Sequence, residues 1–340
     1  MGYSVGMALP SLTAGALIEA LDEPALIVGG GRTIAANKAA RALLGEGILD
    51  RDIRIAIRHP QALVAILAGR SADLALVGLG SAQRPWHLSV RPIAKGLSVV
   101  RLTDRSSAIA AERMRVDFVA NASHELRTPL ATISGFAETL AEEEPIDDVS
   151  RRKFGATIHT ESARMLRIIE DLMGLSRIEA DRFVAPRDRV DLTAIARTAA
   201  QHGAALAERR GCLIELVADT ELAVIGDHGQ LLQVADNLIS NAVRYGCSPK
   251  SPHIRVEVAS EGTRAILRVT DQGDGIAAAH LPRLTERFYR VDPARSRDSG
   301  GTGLGLAIVK HIVERHRGSL DIRSAPGAGM TVEVKLPRAG

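Results

Sequence analysis

The sequence predicts a multidomain α+β chain. A mixed strand-and-helix module covers residues 11–104, a long two-helix hairpin 105–182, and a mixed sheet-and-helix domain 188–338. Three observations carry this reading. At 340 residues the chain is long enough for two or three domains. Apolar residues recur at helical spacing through the middle of the chain and at alternating, strand-like spacing on either side. Pro145 and Pro186 punctuate the chain where the pattern changes. A hydrophobic content of 46% supports packed cores, and with 3% aromatic residues those cores rest on Ala, Leu, Val and Ile.

In the first module, Pro24–Val28 reads as a strand, Gly29-Gly30-Gly31 as a turn, and Ile34–Ala40 as the start of a helix. Trp86–Arg91 and Leu97–Leu102 read as paired strands. No catalytic motif occurs in this stretch. His59 and His87 are candidate haem ligands only in the sense that any histidine is; solvated or structural roles are far commoner. The order of elements resembles a PAS domain, which implies a sensory or docking module. Asp104–Met114 then reads as a helical connector.

The first hairpin helix is predicted from Arg113 to about Glu144, where glycine is absent except at Gly135. Phe118, Ala122, Leu126, Leu130, Ile133, Ala137 and Leu140 fall on one stripe. His124 lies about 160° from Leu126 at ~100° per residue, so it is expected exposed, with Thr128 one turn on along the same face. Pro129 is expected to kink the helix by removing the hydrogen bond to the Glu125 carbonyl. Glu125 can hydrogen-bond one imidazole nitrogen or take up its proton, leaving the other as a nucleophile. Glu142–Pro145 closes the helix, and a second helix is predicted over Val149–Asp181, with Ile158, Met165, Ile168, Ile169, Leu172 and Leu175 at helical spacing. Two helices enclose no core alone, so a homodimer forming a four-helix bundle is expected.

From about Val190, Ile254–Val258, Ala265–Val269 and Met330–Leu336 read as strands, and Leu192–Arg209, Gln230–Tyr245 and Ala307–Arg317 as helices. Asn237 and Asn241 are spaced to share one helix face, and their amide oxygens suit Mg²⁺ bound through phosphates. Arg244 follows one turn later and can contact phosphate. Asp271 enters a glycine turn, and its carboxylate can accept from an exocyclic amine such as that of adenine; Gly273 and Gly275 allow close backbone approach. Gly301-Thr302-Gly303-Leu304-Gly305-Leu306 runs into a helix N-terminus, which suits anionic phosphate. The GxxxxGK[ST] loop is absent.

The unbroken string Phe118–Leu130, FVANASHELRTPL, resembles the H-box of sensor histidine kinases. Asn237–Asn241, Asp271–Gly275 and Gly301–Leu306 resemble the asparagine and glycine boxes of the ATPase superfamily that these kinases share with a heat-shock chaperone family, gyrase and mismatch-repair ATPases. The resemblance implies an α/β-sandwich ATP-binding domain. It implies that His124 is phosphorylated with help from Glu125, and that Thr128 positions water when a phosphorylated partner is dephosphorylated. It further implies that Asn237 and Asn241 serve Mg²⁺ and phosphates, that Tyr245 lies against the adenine and Asp271 binds its amine, and that Gly301, Gly303 and Gly305 hinge an ATP lid over about Asp292–Gly301. Leu284–Asp292 resembles the F-box, keeping Phe288 but with Leu284 and Thr285 where phenylalanine is frequent. Hinging about Ala180–Arg189 would bring His124 to the γ-phosphate. Within the family, Leu281–Asp292 is most similar to the phosphate-regulon sensor kinases. That implies a response-regulator receiver domain as partner and an accessory protein or transporter complex acting through the PAS-like module.

Other classes fare worse. The net charge of +3 comes without a basic cluster interleaved with aromatics, so no direct nucleic-acid binding is expected. Cys212 and Cys247 are too few for a disulfide framework or a zinc site and fit a reducing cytosol. No run of about 18 apolar residues occurs, and Met7–Leu17 is short and broken by Pro10, so a cytoplasmic chain with neither signal peptide nor span is expected. A chaperone-type machine would not need HELRTP. A phosphatase-dominant or catalytically silent scaffold is the remaining rival.

Overall fold

The computed structural model describes residues 14–79, 84–142, 146–181, 184–218, 221–247, 252–292 and 301–339. The chain forms two compact units that divide between Asp117 and Phe118. Among the described residues, no helix is long and apolar enough to cross a membrane.

The first unit begins with α1 (Ala14–Glu19), β1 (Ala25–Gly29) and β2 (Arg32–Ala36). Three short helices follow: α2 (Lys38–Leu44), α3 (Ile53–Ala56) and α4 (Pro60–Leu67). The unit closes with β3 (Ala72–Val77), β4 (Pro85–Ala94) and β5 (Leu97–Asp104). The strands make one antiparallel sheet in the order β2-β1-β5-β4-β3. Trp86, Leu88 and Val90 alternate inward on β4 and pack with Leu26, Ile53, Ile57 and Leu102 in one core. Ile34–Ala36, expected to open a helix, belongs instead to β2. Gly30 and Gly31, both at positive φ, reverse the chain so that Ala36 pairs with Leu26. The helix starts two residues later because Asn37 caps it. This fully buried amide accepts from Ala25 N and Ala40 N and donates to the Leu21 and Glu23 carbonyls, so its hydrogen-bonding capacity is spent at one corner.

Helix α5 (Ser106–Ala141) starts earlier than expected and absorbs the connector; α6 (Asp148–Ala180) matches closely and is capped by Asp147. The α5 helix continues through Pro129, which is buried. Of the predicted stripe, Phe118, Ala122, Leu126, Ile133 and Leu140 are half-buried, while Ala137 is exposed and Leu130 is 51% exposed. Phe136 stacks on Phe154 at 4.9 Å, joining the two helices near the turn.

The elements that follow are β6 (Arg189–Asp191), α7 (Leu192–Arg209), β7 (Leu213–Ala218), β8 (Ala223–Ile225) and α8 (His228–Asn241). A π turn over Ala242–Gly246 prolongs α8. Then come β9 (His253–Glu261), β10 (Arg264–Asp271), α9 (Gly305–Arg315), β11 (Ser319–Ser324) and β12 (Met330–Pro337). The sheet runs β11-β12-β10-β9-β7, antiparallel except for the β7–β9 pair. Ile254, Val256, Leu267, Val269, Val332 and Val334 face Leu231, Leu238, Ile239, Ile308 and Ile312 of the helices, giving an α/β sandwich. On the sheet's other face, Arg268 bridges Glu257 and Glu333. Cys212 and Cys247, expected as two thiols, are joined as a disulfide with a Cα–Cα distance of 6.1 Å. The fold brings the α7–β7 turn beside the end of the π turn, a proximity that a spacing of 35 residues does not reveal.

Candidate nucleotide and phosphoacceptor site

The site is built on α8. Asp227 caps it by accepting from Gln230 N at 3.0 Å, and its own backbone N donates to His316 Nε2 at 2.9 Å. Leu231, Val234, Ala235, Leu238 and Ile239 bury one face, which turns Asn237 and Asn241 together toward a cavity of about 330 Å³. Asn237 Nδ2 lies 3.5 Å from the Gly305 carbonyl, where α9 begins. Arg244 and Tyr245 line the same cavity from the π turn. Burial, followed by the charge of Arg167, lowers the Arg244 pKa.

Asp271 forms the floor. It is 5% exposed, and Oδ1 accepts from Gly273 N at 2.9 Å and Met330 N at 3.2 Å. Among the described residues Oδ2 makes no hydrogen bond, so one carboxylate oxygen remains to accept from a ligand. Burial raises the carboxyl pKa, and the two backbone donors oppose that rise. Two glycines make room here. A Cβ on Gly246 would sit 2.2 Å from Asp271 Cγ, and one on Gly275, at φ +66°, would sit 1.9 Å from the Ala325 carbonyl oxygen. Gly273 packs against Gly246.

Gly301, Thr302, Gly303, Gly305 and Leu306 close the opposite wall, and Leu304 plugs into the core as α9 starts. The Thr302 hydroxyl donates to Asp171 Oδ2 of α6 at 2.7 Å. Burial raises the Asp171 pKa, against the lowering by Thr302. Arg290, beyond Phe288 and Tyr289, donates to the Gly301 carbonyl and to Glu125 Oε2. Of the lid region, residues 293–300 lie outside the described residues.

His124 is exposed on α5, as its place opposite Leu126 predicts. Thr128 Oγ1 donates to the His124 carbonyl at 3.3 Å, one turn on. Glu125 Oε2 accepts from Arg164 Nη2 at 3.1 Å and from Arg290 Nη2 at 3.2 Å. Phe118 lies 5.9 Å from Phe288, and Arg287 stacks over Phe118 while pairing with Glu179.

All the predicted ligand-facing residues thus surround one cavity, except that Gly273 and Leu304 stand behind it as backbone support. Sequence reasoning missed the contribution of α6. Arg164 and Asp171 flank Ile168 on the helix's inward side, and a charge on an apolar stripe was the available signal.

Two family descriptions match: "His Kinase A (phospho-acceptor) domain" over residues 114–181, and "Histidine kinase-, DNA gyrase B-, and HSP90-like ATPase" over residues 226–340. The phosphate regulon sensor protein PhoR of Pseudomonas aeruginosa is 40% identical over 248 residues, 72% of this chain and 55% of that protein. The sensor-like histidine kinase SenX3 of Mycolicibacterium smegmatis is 40% identical over 240 residues, 71% of this chain and 62% of that protein. The chain therefore spans less than two thirds of the length of either relative. Histidine kinase ThkA, solved in complex with response regulator protein TrrA, superposes with a TM-score of 0.52 at 17% identity, covering 96% of this chain and 99% of that one, a likeness of fold alone. On the two domain matches and the two 40% identical relatives, the chain belongs to the sensor histidine kinase family.

Proposed function

We propose that the chain is an ATP-dependent protein-histidine kinase of a two-component system, with modules at 11–104, 105–182 and 188–338, acting in the cytoplasm where ATP is available. An imidazole nitrogen of His124 attacks the γ-phosphorus of ATP. The bond from that phosphorus to the β,γ-bridging oxygen breaks, ADP leaves, and the imidazole proton passes to Glu125 or solvent. Asp271 accepts the adenine amine, Tyr245 lies beside the ring, Arg244 faces phosphate, and Gly273, Gly275 and the loop Gly301–Leu306 shape the pocket. Asn237 and Asn241 present amide oxygens suited to a hydrated Mg²⁺, which would neutralise phosphate charge. The phosphoryl group then moves to an aspartate of a response-regulator receiver domain, and Thr128 supports the reverse dephosphorylation by positioning water.

The observation that carries this reading is the Arg290 bridge. One guanidinium joins the carboxylate next to His124 to the glycine loop of the nucleotide cavity. A homodimer is supported by Met114, Val116, Val119 and Leu130 of α5 and Leu166, Ile169 and Met173 of α6, all of them apolar and exposed. The N-terminal module is proposed as a PAS-type sensory or docking domain on the strength of its antiparallel strand order with helices between β2 and β3. Likeness to a phosphate regulon sensor protein favours phosphate-starvation signalling, with input through an accessory protein or transporter complex. The complex known for ThkA favours a response regulator as phosphoryl acceptor.

Incubation with γ-labelled ATP and Mg²⁺ tests the proposal. Acid-labile, base-stable label on the wild type, absent from His124→Ala and Asn241→Ala, is the expected result. Label that persists on His124→Ala identifies a different acceptor, and ATP binding without label supports a silent scaffold instead.

A further inference from the structure

The disulfide joins two pieces of backbone that meet only beside the nucleotide cavity. Cys212 follows the α7–β7 turn, is 4% exposed, and belongs to the hydrophobic core. Cys247 is half-buried and directly follows the π turn that presents Arg244 and Tyr245 to the cavity. Gly246, next to Cys247, is the residue pressed against the Asp271 side chain. The segment closed by the bond contains β7, β8 and the whole of α8, with Asn237 and Asn241. One polar tie runs parallel to it: Arg210 Nη1 donates to the Arg244 carbonyl at 2.7 Å. The Arg210 carbonyl oxygen itself lies 3.4 Å from Cys247 Sγ. The bond therefore pins the end of the asparagine helix one residue from the contact that sets Asp271.

An ATP-using domain works in a reducing compartment, where protein disulfides are transient and regulatory rather than structural. We infer that Cys212 and Cys247 form a reversible redox couple that sets the affinity of the nucleotide site, an inference that rests on the nucleotide reading above. A low-molecular-weight disulfide such as glutathione disulfide serves as the oxidant. The thiolate of Cys247, the more accessible of the two, attacks it, forming a mixed disulfide and expelling one glutathione thiolate. The thiolate of Cys212 then attacks the Cys247 sulfur, closing the protein disulfide and expelling the second. Two electrons pass from the protein dithiol to the glutathione disulfide, and the two thiol protons end on the two glutathione molecules. Reduction reverses both exchanges. It leaves Arg244–Cys247 held at this point by the Arg210 hydrogen bond, so that ordering the segment becomes a cost of nucleotide binding.

The test uses the full chain equilibrated in reducing or oxidising glutathione buffer. Free thiols are counted, and binding of a fluorescent ATP analogue is titrated. The expected result is loss of both thiols in oxidising buffer, with the wild type binding about three- to tenfold more tightly than when reduced. Cys247→Ala and Cys212→Ser should bind alike in both buffers, near the reduced wild-type value. Cys247→Ala alters the less buried position, which separates loss of the bond from loss of packing at Cys212. Thiols that stay free under oxidising conditions, or a disulfide that forms without changing the affinity, overturn the inference while leaving the nucleotide site intact. No binding in either buffer overturns the nucleotide reading and this inference with it.

Discussion

Replacing Gly246 with alanine tests whether the Asp271 floor is as tight as its geometry implies. The added Cβ would stand 2.2, 2.3 and 2.5 Å from Asp271 Cγ, Cβ and Oδ1, where ordinary contact begins near 3.4 Å, so the groups must part by about 1 Å. Neither yields freely. Asp271 pairs with Ile254 and Met330 across the sheet, and its Oδ1 holds two backbone donors. Overpacking of this kind costs about 1–3 kcal/mol. If the strain is relieved by swinging Asp271 out of position, the same energy appears as nucleotide affinity weakened about fivefold to 150-fold. If it is borne by the fold, it appears as a fall in Tm of about 2–4 °C per kcal/mol for a domain of this size. Titration with a fluorescent ATP analogue and a thermal melt on the same sample separate the two. Gly229→Ala is the control. It lies near the start of α8, which the π turn prolongs; among the described residues its Cβ would meet only Asp227 Oδ1 at 3.5 Å, and it should leave affinity unchanged. A folded Gly246→Ala protein that binds within about twofold of wild type, with Tm also unmoved, would refute the argument.

Three further outcomes follow from single side chains. Thr302→Val removes the hydroxyl that donates to half-buried Asp171, so amide hydrogen exchange across Gly301–Leu306 should quicken, the loss being about 1 kcal/mol of local stability. Arg268→Ala leaves Glu333, whose side chain is 5% exposed, to Lys335 and Arg323 alone and should cost roughly 1–3 kcal/mol in urea unfolding at neutral pH. Because the folded-state Glu333 pKa is lowered by Arg268 and Lys335 against the opposing effect of burial, its stabilisation is present above about pH 4.5 and lost as pH falls further; the variant should show a flatter acid limb. Burial lowers the His316 pKa below 6.5, opposed by the donation of Nδ1 to the Ile312 carbonyl at 2.7 Å, while Nε2 accepts from Asp227 N. The unfolded chain then binds the proton more readily, and stability should be full above about pH 6.5 and decline below it, a decline that His316→Gln removes when thermal melts are compared across pH.

The long periodic elements were legible from sequence because their signals are local. The α7 bounds Leu192–Arg209 coincide with prediction, and α6 differs by one residue at each end, since an amphipathic stripe and a capping aspartate mark such helices without reference to the rest of the chain. The short strands β6, β7, β8 and β11 were not legible. Leu213–Ala218 and Ser319–Ser324 carry acidic residues mid-strand and become strands by pairing with β9 and β12, a long-range effect. The same division runs through the site. Asn237, Asn241, Asp271 and the glycine loop announce themselves by spacing, whereas Asp171, Arg164 and the Gly246–Asp271 contact exist only because α6 and the π turn come to them through space. Ile34–Ala36 misled for a related reason: three β-compatible residues ran straight into a helix, and the deciding group was the Asn37 side chain at their end.

The pairing around Glu125 gives the site a direction. Two guanidinium groups, Arg164 and Arg290, each with a side chain 8% exposed, meet at the carboxylate of Glu125, and Arg164 also pairs with Glu161 at 3.8 Å. Among the described residues, the Nε of each is buried without a hydrogen-bond partner. Burial lowers the Arg290 pKa, opposed by Glu125, and a guanidinium stays a cation in a protein. A buried cation with a spare donor beside the cavity is stabilised by any anion that reaches it. Under the kinase reading the arriving anion is phosphate. Drawing Arg290 toward it loosens the hold on Glu125, the carboxylate next to His124. Nucleotide entry and the loss of one of the two donors on Glu125 then become one event, because a guanidinium committed to phosphate has fewer donors left for the carboxylate.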